Sequence, residues 1–272
     1  MLSDLVAGAI ADASERRADR SFALVEAEAL ARPAALDAVA ALAPTDRVKI
    51  IAEVKRASPS RGPLADISDP ASLAVSYQTG GASAISVLTE QRRFLGSLAD
   101  LVAVCEAVTV PVLRKDFIAD PYQVFEARAA GADLVLLIVA ALAQPQLVEL
   151  HTLIRELGMT ALVETHSAEE VERALDVGAS VVGVNARDLS TFELDRDLFG
   201  TLAASIPSGV IRIAESAVKD PDDVAHYRAA GADVVLVGEA LVTDGDPVAT
   251  LQRFLAHSHF RPDRPRAGKV SA

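Results

Sequence analysis

Lys49-Ile-Ile-Ala-Glu-Val-Lys55 is a short apolar run that stops on charge. Four further stretches repeat the pattern: Pro111-Val-Leu-Arg-Lys115, Thr160-Ala-Leu-Val-Glu164, Ser180-Val-Val-Gly-Val-Asn-Ala-Arg187 and Ile211-Arg-Ile-Ala-Glu-Ser216. A run of this length bounded by turn residues reads as a buried strand of a parallel sheet. A carboxylate or ammonium at the end of such a strand sheds much of its hydration and needs a partner or a chemical task. One such run would carry little weight. Five on successive strands point to polar groups converging on one mouth, which is how a (β/α)8 barrel assembles its active site.

The rest of the chain supports that count. Gly81-Ala-Ser, Gly131-Ala-Asp, Gly178-Ala-Ser and Gly231-Ala-Asp recur at near-regular intervals, each after a helical stretch and before an apolar strand. Each glycine is placed to end a helix in a left-handed turn. Strand candidates fall at 48–54, 83–88, 111–114, 133–138, 160–163, 180–184, 210–214 and 233–237. Asp69-Pro, Asp120-Pro and Asp220-Pro open helices between them, with the aspartate as N-cap. Strands alternating with helices, without hairpin signals, imply parallel crossovers. The expected fold is α/β, a (β/α)8 TIM barrel with an N-terminal helical extension over 1–47 lying against one end. It forms a single domain, 1–255, with a flexible tail over 256–272. No Gly-x-Gly-x-x-Gly follows the first strand, so dinucleotide binding finds no support.

Composition narrows the function. Of 272 residues 51% are apolar and only 4% aromatic, so the core is aliphatic. The single cysteine, Cys105, excludes an internal disulfide framework and fits a cytoplasmic protein. The longest apolar run, Leu134 to Ala143, is too short to span a bilayer as a helix, so no membrane association is expected. A net charge of −12 argues against nucleic-acid binding. The five histidines are scattered and suggest no metal site. Nothing marks a large exposed apolar face, which leaves a monomer as the default.

The strand ends carry the chemistry. Glu53 and Lys55 share a face of their strand and can pair over the barrel lumen, poised for proton transfer; a strand-end salt bridge explains the pair equally well. The following Ser58-Pro-Ser-Arg61 is a loop suited to closing over an anion. Lys115 leaves its strand into a tight Lys-Asp-Phe turn, with Phe117 offering an apolar face to a flat ring. A lysine beside other cations and apolar walls is expected to have a depressed pKa and to serve as general acid. Glu164 follows three apolar residues, so desolvation is expected to raise its pKa. Asn185 and Arg187 form a clamp for a carboxylate or phosphate, with Asp188 and Glu164 as competing partners for the arginine. Ser216 and Gly238 follow the last two strands, the usual phosphate site of these barrels. Lys55, Lys115 and Arg187 gathered at one mouth of an acidic body would draw in a small phosphorylated molecule bearing a second anionic group.

Ile-Ala-Glu-Val-Lys-Arg-Ala-Ser-Pro-Ser (51–60), Leu-Arg-Lys-Asp-Phe (113–117), Leu-Val-Glu (162–164), Gly-Val-Asn-Ala-Arg-Asp-Leu (183–189) and Ile-Ala-Glu-Ser (213–216) together resemble indole-3-glycerol phosphate synthase over roughly 1–255. The resemblance implies a step of tryptophan biosynthesis, with no cofactor and no metal. A carboxyphenylamino-deoxyribulose phosphate closes its ring, losing carbon dioxide and water. It implies Lys115 as the acid that protonates the ketone oxygen, and Glu164 and Lys55 as partners in later proton removal and dehydration, with Glu53 orienting them. Ser58, Asn185 and Arg187 would hold the substrate's carboxylate and hydroxyls, and Glu215 would contact a hydroxyl. Phe117 and Leu189 would cradle the ring, while Ser216, Ala217, Gly238 and Glu239 would form the phosphate region. The family pattern has glycine where this chain has Ala217, a strained position if the turn needs φ > 0. A sugar-phosphate isomerase, a Schiff-base aldolase and a catalytically silent phosphate-binding barrel are the competing readings. The first leaves Lys55, Lys115 and Glu164 over-provided, borohydride trapping separates the second, and a turnover assay separates the third.

Overall fold

In a computed structural model, which describes residues 2–258 apart from 189, 190, 192 and 244, eight parallel strands close into a barrel. They are β1 (Lys49–Val54), β2 (Ala84–Leu88), β3 (Val112–Lys115), β4 (Leu134–Ile138), β5 (Thr160–Thr165), β6 (Val181–Asn185), β7 (Ile211–Glu215) and β8 (Val234–Val237). Each strand pairs with its sequence neighbours, and β8 pairs back to β1. The expected (β/α)8 barrel is therefore the fold. β5 runs beyond its expected end because the Thr165 hydroxyl donates to the Gly183 carbonyl of β6 at 2.8 Å, which holds the last residue in the sheet.

Alternation along the strands sorts the apolar side chains into two layers. Ile51, Ala84, Leu113, Leu134, Leu136, Leu162, Val181, Ile213 and Leu236 fill the lumen. Their sequence neighbours Ile50, Ile85, Val112, Val135, Val163, Val182, Ala214 and Val235 pack outward on the helices. Burying one such aliphatic side chain contributes about 1.5–3 kcal/mol, so the register is strongly fixed. Two residues beyond the lumen layer the same face turns polar, from Ile51 to Glu53, Leu113 to Lys115, Leu162 to Glu164 and Ile213 to Glu215. Cross-strand pairing sets Ile138 beside Glu164, Glu164 beside Gly183, and Asn185 beside Glu215, so these groups stand level at the C-terminal end.

Before the barrel come α1 (Leu2–Asp19), α2 (Phe22–Ala31) and α3 (Ala38–Leu42). Around it lie α4 (Pro70–Gly80), α5 (Leu98–Ala107), α6 (Pro121–Ala130), α7 (Gln144–Glu156), α8 (Ala168–Asp176), α9 (Leu198–Ala203), α10 (Pro221–Ala229), a short α11 (Glu239–Thr243) and α12 (Pro247–Ala256). Asp69, Asp120 and Asp220 each cap a helix that opens on proline. The N-terminal extension does not rest on one end alone. Leu5 of α1 reaches the mouth, Val25 and Ala29 of α2 pack on Tyr122 and Phe125 of α6, and Ala38 and Leu42 of α3 join the lumen core. The Lys49 ammonium at the start of β1 donates to the Ala41 carbonyl at 2.6 Å, so α3 closes the opposite, N-terminal end. The carboxylate of Glu126 on α6 receives Arg16 of α1 at 2.7 Å, pinning the extension to the barrel wall. No helix among the described residues is long and apolar enough to cross a membrane.

Candidate active site

The polar layer opens into a cavity of about 300 Å³ at the C-terminal end of the barrel. The Lys115 ammonium lies 3.5 Å from a carboxylate oxygen of Glu164 and 3.5 Å from one of Glu215. Both carboxylates are buried, yet none of their four oxygens has a well-formed hydrogen bond. Lys55 pairs with Glu53 at 2.8 Å on the β1 side, and the Ser86 hydroxyl donates to the other Glu53 oxygen at 3.4 Å. Two glycines make this crowding possible. A Cβ on Gly183 would collide with the Glu215 carboxylate, and one on Gly238 would collide with the Glu53 carboxylate and lie 3.0 Å from the Lys55 amine.

The turn that presents Lys115 is held from behind. The Asp116 carboxylate accepts the Phe117 backbone N–H at 2.8 Å and the Thr89 hydroxyl at 2.6 Å, and pairs with the fully buried Arg114 at 3.1 Å. Arg114 in turn lies 3.5 Å from Glu126, which links the turn to Arg16 of the extension. Phe117 and Phe94 stand with ring centroids 6.2 Å apart and, with Leu5, Leu88 and Leu136, form an apolar wall opposite the charges.

Electrostatics divides the acids. Burial works against the charge of Lys115, but Glu164, Glu215 and Glu53 together outweigh it and raise its pKa. Burial would also raise Glu164, yet Lys115, His166 and a polar contact with Asn185 hold it below the usual carboxylate range. For Glu215, Lys115 is the one cation bearing on it among the described residues. Burial and the neighbouring Glu164 push it up to about 8 despite Lys115. Two carboxyl groups pushed apart in this way give one site both an acid and a base.

The far side of the mouth is formed by the chain leaving β6, β7 and β8. The Ser216 hydroxyl and the Arg187 backbone N–H both donate to the Asn185 side-chain oxygen, at 2.8 and 3.0 Å. Ser216 and Ala217 have φ of 65° and 57°, left-handed values that fold the chain over the cavity after β7. Gly238 and Glu239 start α11 after β8, and Glu239 pairs with Arg61 from the β1 loop.

The sequence profile of the family described as indole-3-glycerol phosphate synthase matches residues 2–254. A protein of that name from Leifsonia xyli subsp. xyli is 73% identical over 254 residues, covering 93% of this chain and 97% of that protein. One from Beutenbergia cavernae is 57% identical over 267 residues, covering 97% and 99%. The chain belongs to the indole-3-glycerol phosphate synthase family. It is thereby a carboxy-lyase of tryptophan biosynthesis. Among solved structures, a 3-hexulose-6-phosphate synthase superposes with a TM-score of 0.62 at 18% identity over 78% of this chain and 100% of that chain, a likeness of fold alone. The 3-hexulose-6-phosphate synthase of Salmonella typhimurium gives 0.63 at 16% identity over 77% of this chain and 98% of that one.

Against the sequence expectations, Glu53, Lys55, Ser58, Lys115, Phe117, Glu164, Asn185, Arg187, Glu215, Ser216, Ala217, Gly238 and Glu239 all line the one cavity. Leu189 lies outside the described residues. Two expectations about charge are corrected. Lys115 is surrounded by carboxylates rather than cations, so its pKa rises. Glu164 gains two cationic neighbours, so its pKa falls although it is buried. Three contributors were not singled out in the sequence: Leu5 and Phe94, which only the tertiary fold brings to the wall, and His166. His166 had a signal, since it lies two residues beyond Glu164 at the period of a strand.

Proposed function

We propose that the reaction is divided among these side chains as follows. The substrate, 1-(2-carboxyphenylamino)-1-deoxyribulose 5-phosphate, places its aromatic ring on the Phe117–Phe94–Leu5 wall and its phosphate at Ser216, Ala217 and the start of α11. Asn185, Arg187 and Ser58 hold its carboxylate and hydroxyls. The ring carbon bearing the carboxylate attacks the ketone carbon while Lys115 passes a proton to the ketone oxygen. The bond to the carboxyl group then breaks, its electron pair restores the aromatic ring, and carbon dioxide leaves. Lys55, steadied by Glu53, protonates the new hydroxyl, which departs as water. Glu164 takes the proton from the carbon next to nitrogen, closing the pyrrole double bond. Two protons are given and one taken, matching loss of a carboxylate as neutral carbon dioxide.

The observation that carries this reading is the Lys115 amine held 3.5 Å from two buried carboxylates of opposite protonation tendency. A lysine kept cationic is a competent acid toward a ketone oxygen as negative charge develops there. Glu239 lies beside the proposed phosphate region, and its pairing with Arg61 occupies the carboxylate with a cation, so that the phosphate would use its backbone alone. The same reading takes residues 1–255 as one catalytic unit acting as a monomer in the cytoplasm. The test is incubation with the anthranilate-derived ribulose phosphate while following indole absorbance and carbon dioxide release. Wild type is expected to turn over, with Lys115→Ala and Glu164→Gln each strongly impaired. Full activity in either variant would overturn that residue's role.

A further inference from the structure

His166 stands at the end of β5, immediately behind Glu164 and outside the cavity lining. Its Nε2 lies 3.4 Å from one Glu164 oxygen, while Lys115 approaches the other oxygen at 3.5 Å. On its far side Nδ1 lies 3.1 Å from Glu170 of α8, and the same Glu170 oxygen accepts the His166 backbone N–H at 2.8 Å. Glu170 therefore fixes both the main chain and the ring of His166. The imidazole is 14% exposed and the Glu164 side chain 1% exposed, so water does little to screen the pair.

We infer that His166 is a positioning residue for this reaction, an imidazolium bridging Glu164 and Glu170 that keeps the Glu164 carboxylate ionised and aimed at the cavity. The inference rests on the role of Glu164 as proton acceptor proposed above. Lys115, as the acid of the first step, gives up its charge part-way through the cycle. From that moment Glu164 is a buried carboxylate whose other close neighbour in the cavity is the acid Glu215, and His166 is the cation that stays beside it. Without His166, Glu164 would draw the next available proton and be unable to take one from the substrate carbon. The charged groups bearing on His166 are Glu164 from its own strand and Glu170 from α8. Both favour the protonated ring and overcome its burial, placing its pKa at about 10. Those bearing on Glu164 are Lys115 from β3, His166 just after β5 and Glu215 from β7, with the neutral Asn185 of β6 alongside.

The experiment is steady-state turnover of the ribulose phosphate by His166→Gln, His166→Arg, Glu170→Gln and Glu164→Gln, with ¹⁵N titration of the His166 ring in the wild-type chain. A cation within about 4–6 Å shifts a carboxylate by about one unit or more. Once Lys115 has given up its charge, burial works against Glu164 unopposed on that side. For a carboxylate lifted above the working pH, each unit is tenfold in the ionised fraction. His166→Gln is thus expected to lose about tenfold in kcat with KM changed less than twofold, because His166 touches no cavity surface. His166→Arg, which keeps the cation, is expected to recover part of that loss, and Glu170→Gln to show a smaller loss of the same kind. A purely structural ring would be replaced as well by glutamine as by arginine. The wild-type ring is expected to stay doubly protonated through pH 8. A neutral ring at pH 7, or a folded His166→Gln with wild-type kcat, overturns the inference. Should His166→Gln not fold, Glu170→Gln and the ring titration decide. If Glu164→Gln keeps full turnover, the assignment of Glu164 itself has failed. If Glu164→Gln is inactive while His166→Gln is not, only the role of His166 falls.

Discussion

Gly183→Ala would add one methyl group at the point where β6 and the Glu215 carboxylate come closest. In an open strand, alanine in place of glycine is favourable by about 0.5–1 kcal/mol. Here the new Cβ would overlap a Glu215 oxygen and sit 3.1 Å from Glu215 Cδ and 3.2 Å from Leu162 Cδ1. Overpacking of this kind costs about 1–3 kcal/mol, which exceeds the strand gain. The variant is expected to be less stable by about 1–2 kcal/mol, a fall of roughly 2–8 °C in the unfolding midpoint for a chain of this size. Relief requires the carboxylate to move by about an ångström, which breaks its 3.5 Å approach to Lys115. A misplacement of that size costs about 100-fold in rate. Deleting the carboxylate removes the collision, so in a Glu215→Ala background Gly183→Ala is expected to be neutral or stabilising. The assay is a double-mutant cycle by thermal and urea unfolding, with kcat measured on the Gly183→Ala single variant. Equal effects of Gly183→Ala in the two backgrounds, or a single variant with wild-type kcat, would refute the packing argument.

Lys115→Ala is expected to lose roughly 100- to 10,000-fold in kcat, the usual worth of a positioned acid, in the indole absorbance assay. Ala217 and Ser216 hold left-handed backbone values that cost an L-residue about 1–2 kcal/mol, so Ala217→Gly is expected to raise the unfolding midpoint by a degree or two; a lower midpoint would contradict it. Glu215 has a folded pKa raised to about 8, so from the ordinary carboxylate range up to that pH the native state holds a proton that the unfolded chain releases. Its contribution is therefore greatest below that window and lost as pH rises through 8. Thermal unfolding at pH 5 to 9 is expected to show Glu215→Gln gaining on wild type as pH rises; a constant gap would contradict the raised pKa. Gly238→Ala is expected to weaken turnover by driving its Cβ into the Glu53–Lys55 pair, read as a fall in kcat/KM.

The barrel was legible because its two periodicities are written plainly. Apolar alternation ends on Glu53, Lys115, Glu164 and Glu215, and Asp-Pro caps and Gly-Ala turns punctuate the helices between. Since a strand's face is set by its own sequence, residues two apart could be placed at the mouth without knowing the neighbouring strands. What a strand does not reveal is what stands across from it. The sequence places Lys115 among cations and Glu164 in apolar surroundings, because which side chains of β3, β5 and β7 meet across the lumen is a property of closure. Leu5 and Phe94 come from a helix before the barrel and a loop after β2, and no local pattern marks either as a wall of the cavity. The strain at Ala217 was visible only as a departure from the family pattern, and φ of 57° shows that this turn does demand a left-handed residue.

The central claim is that Lys115 delivers its proton to the ketone oxygen inside this cavity. A crystal structure with the substrate reduced from ketone to alcohol tests it most directly, since the alcohol oxygen marks where the ketone oxygen sits. The account expects that oxygen within about 2.7–3.2 Å of Lys115 Nζ, with the ring against Phe117 and the phosphate at Ser216 and α11. An analogue bound with that oxygen beyond reach of Lys115, and facing another acid, would contradict it.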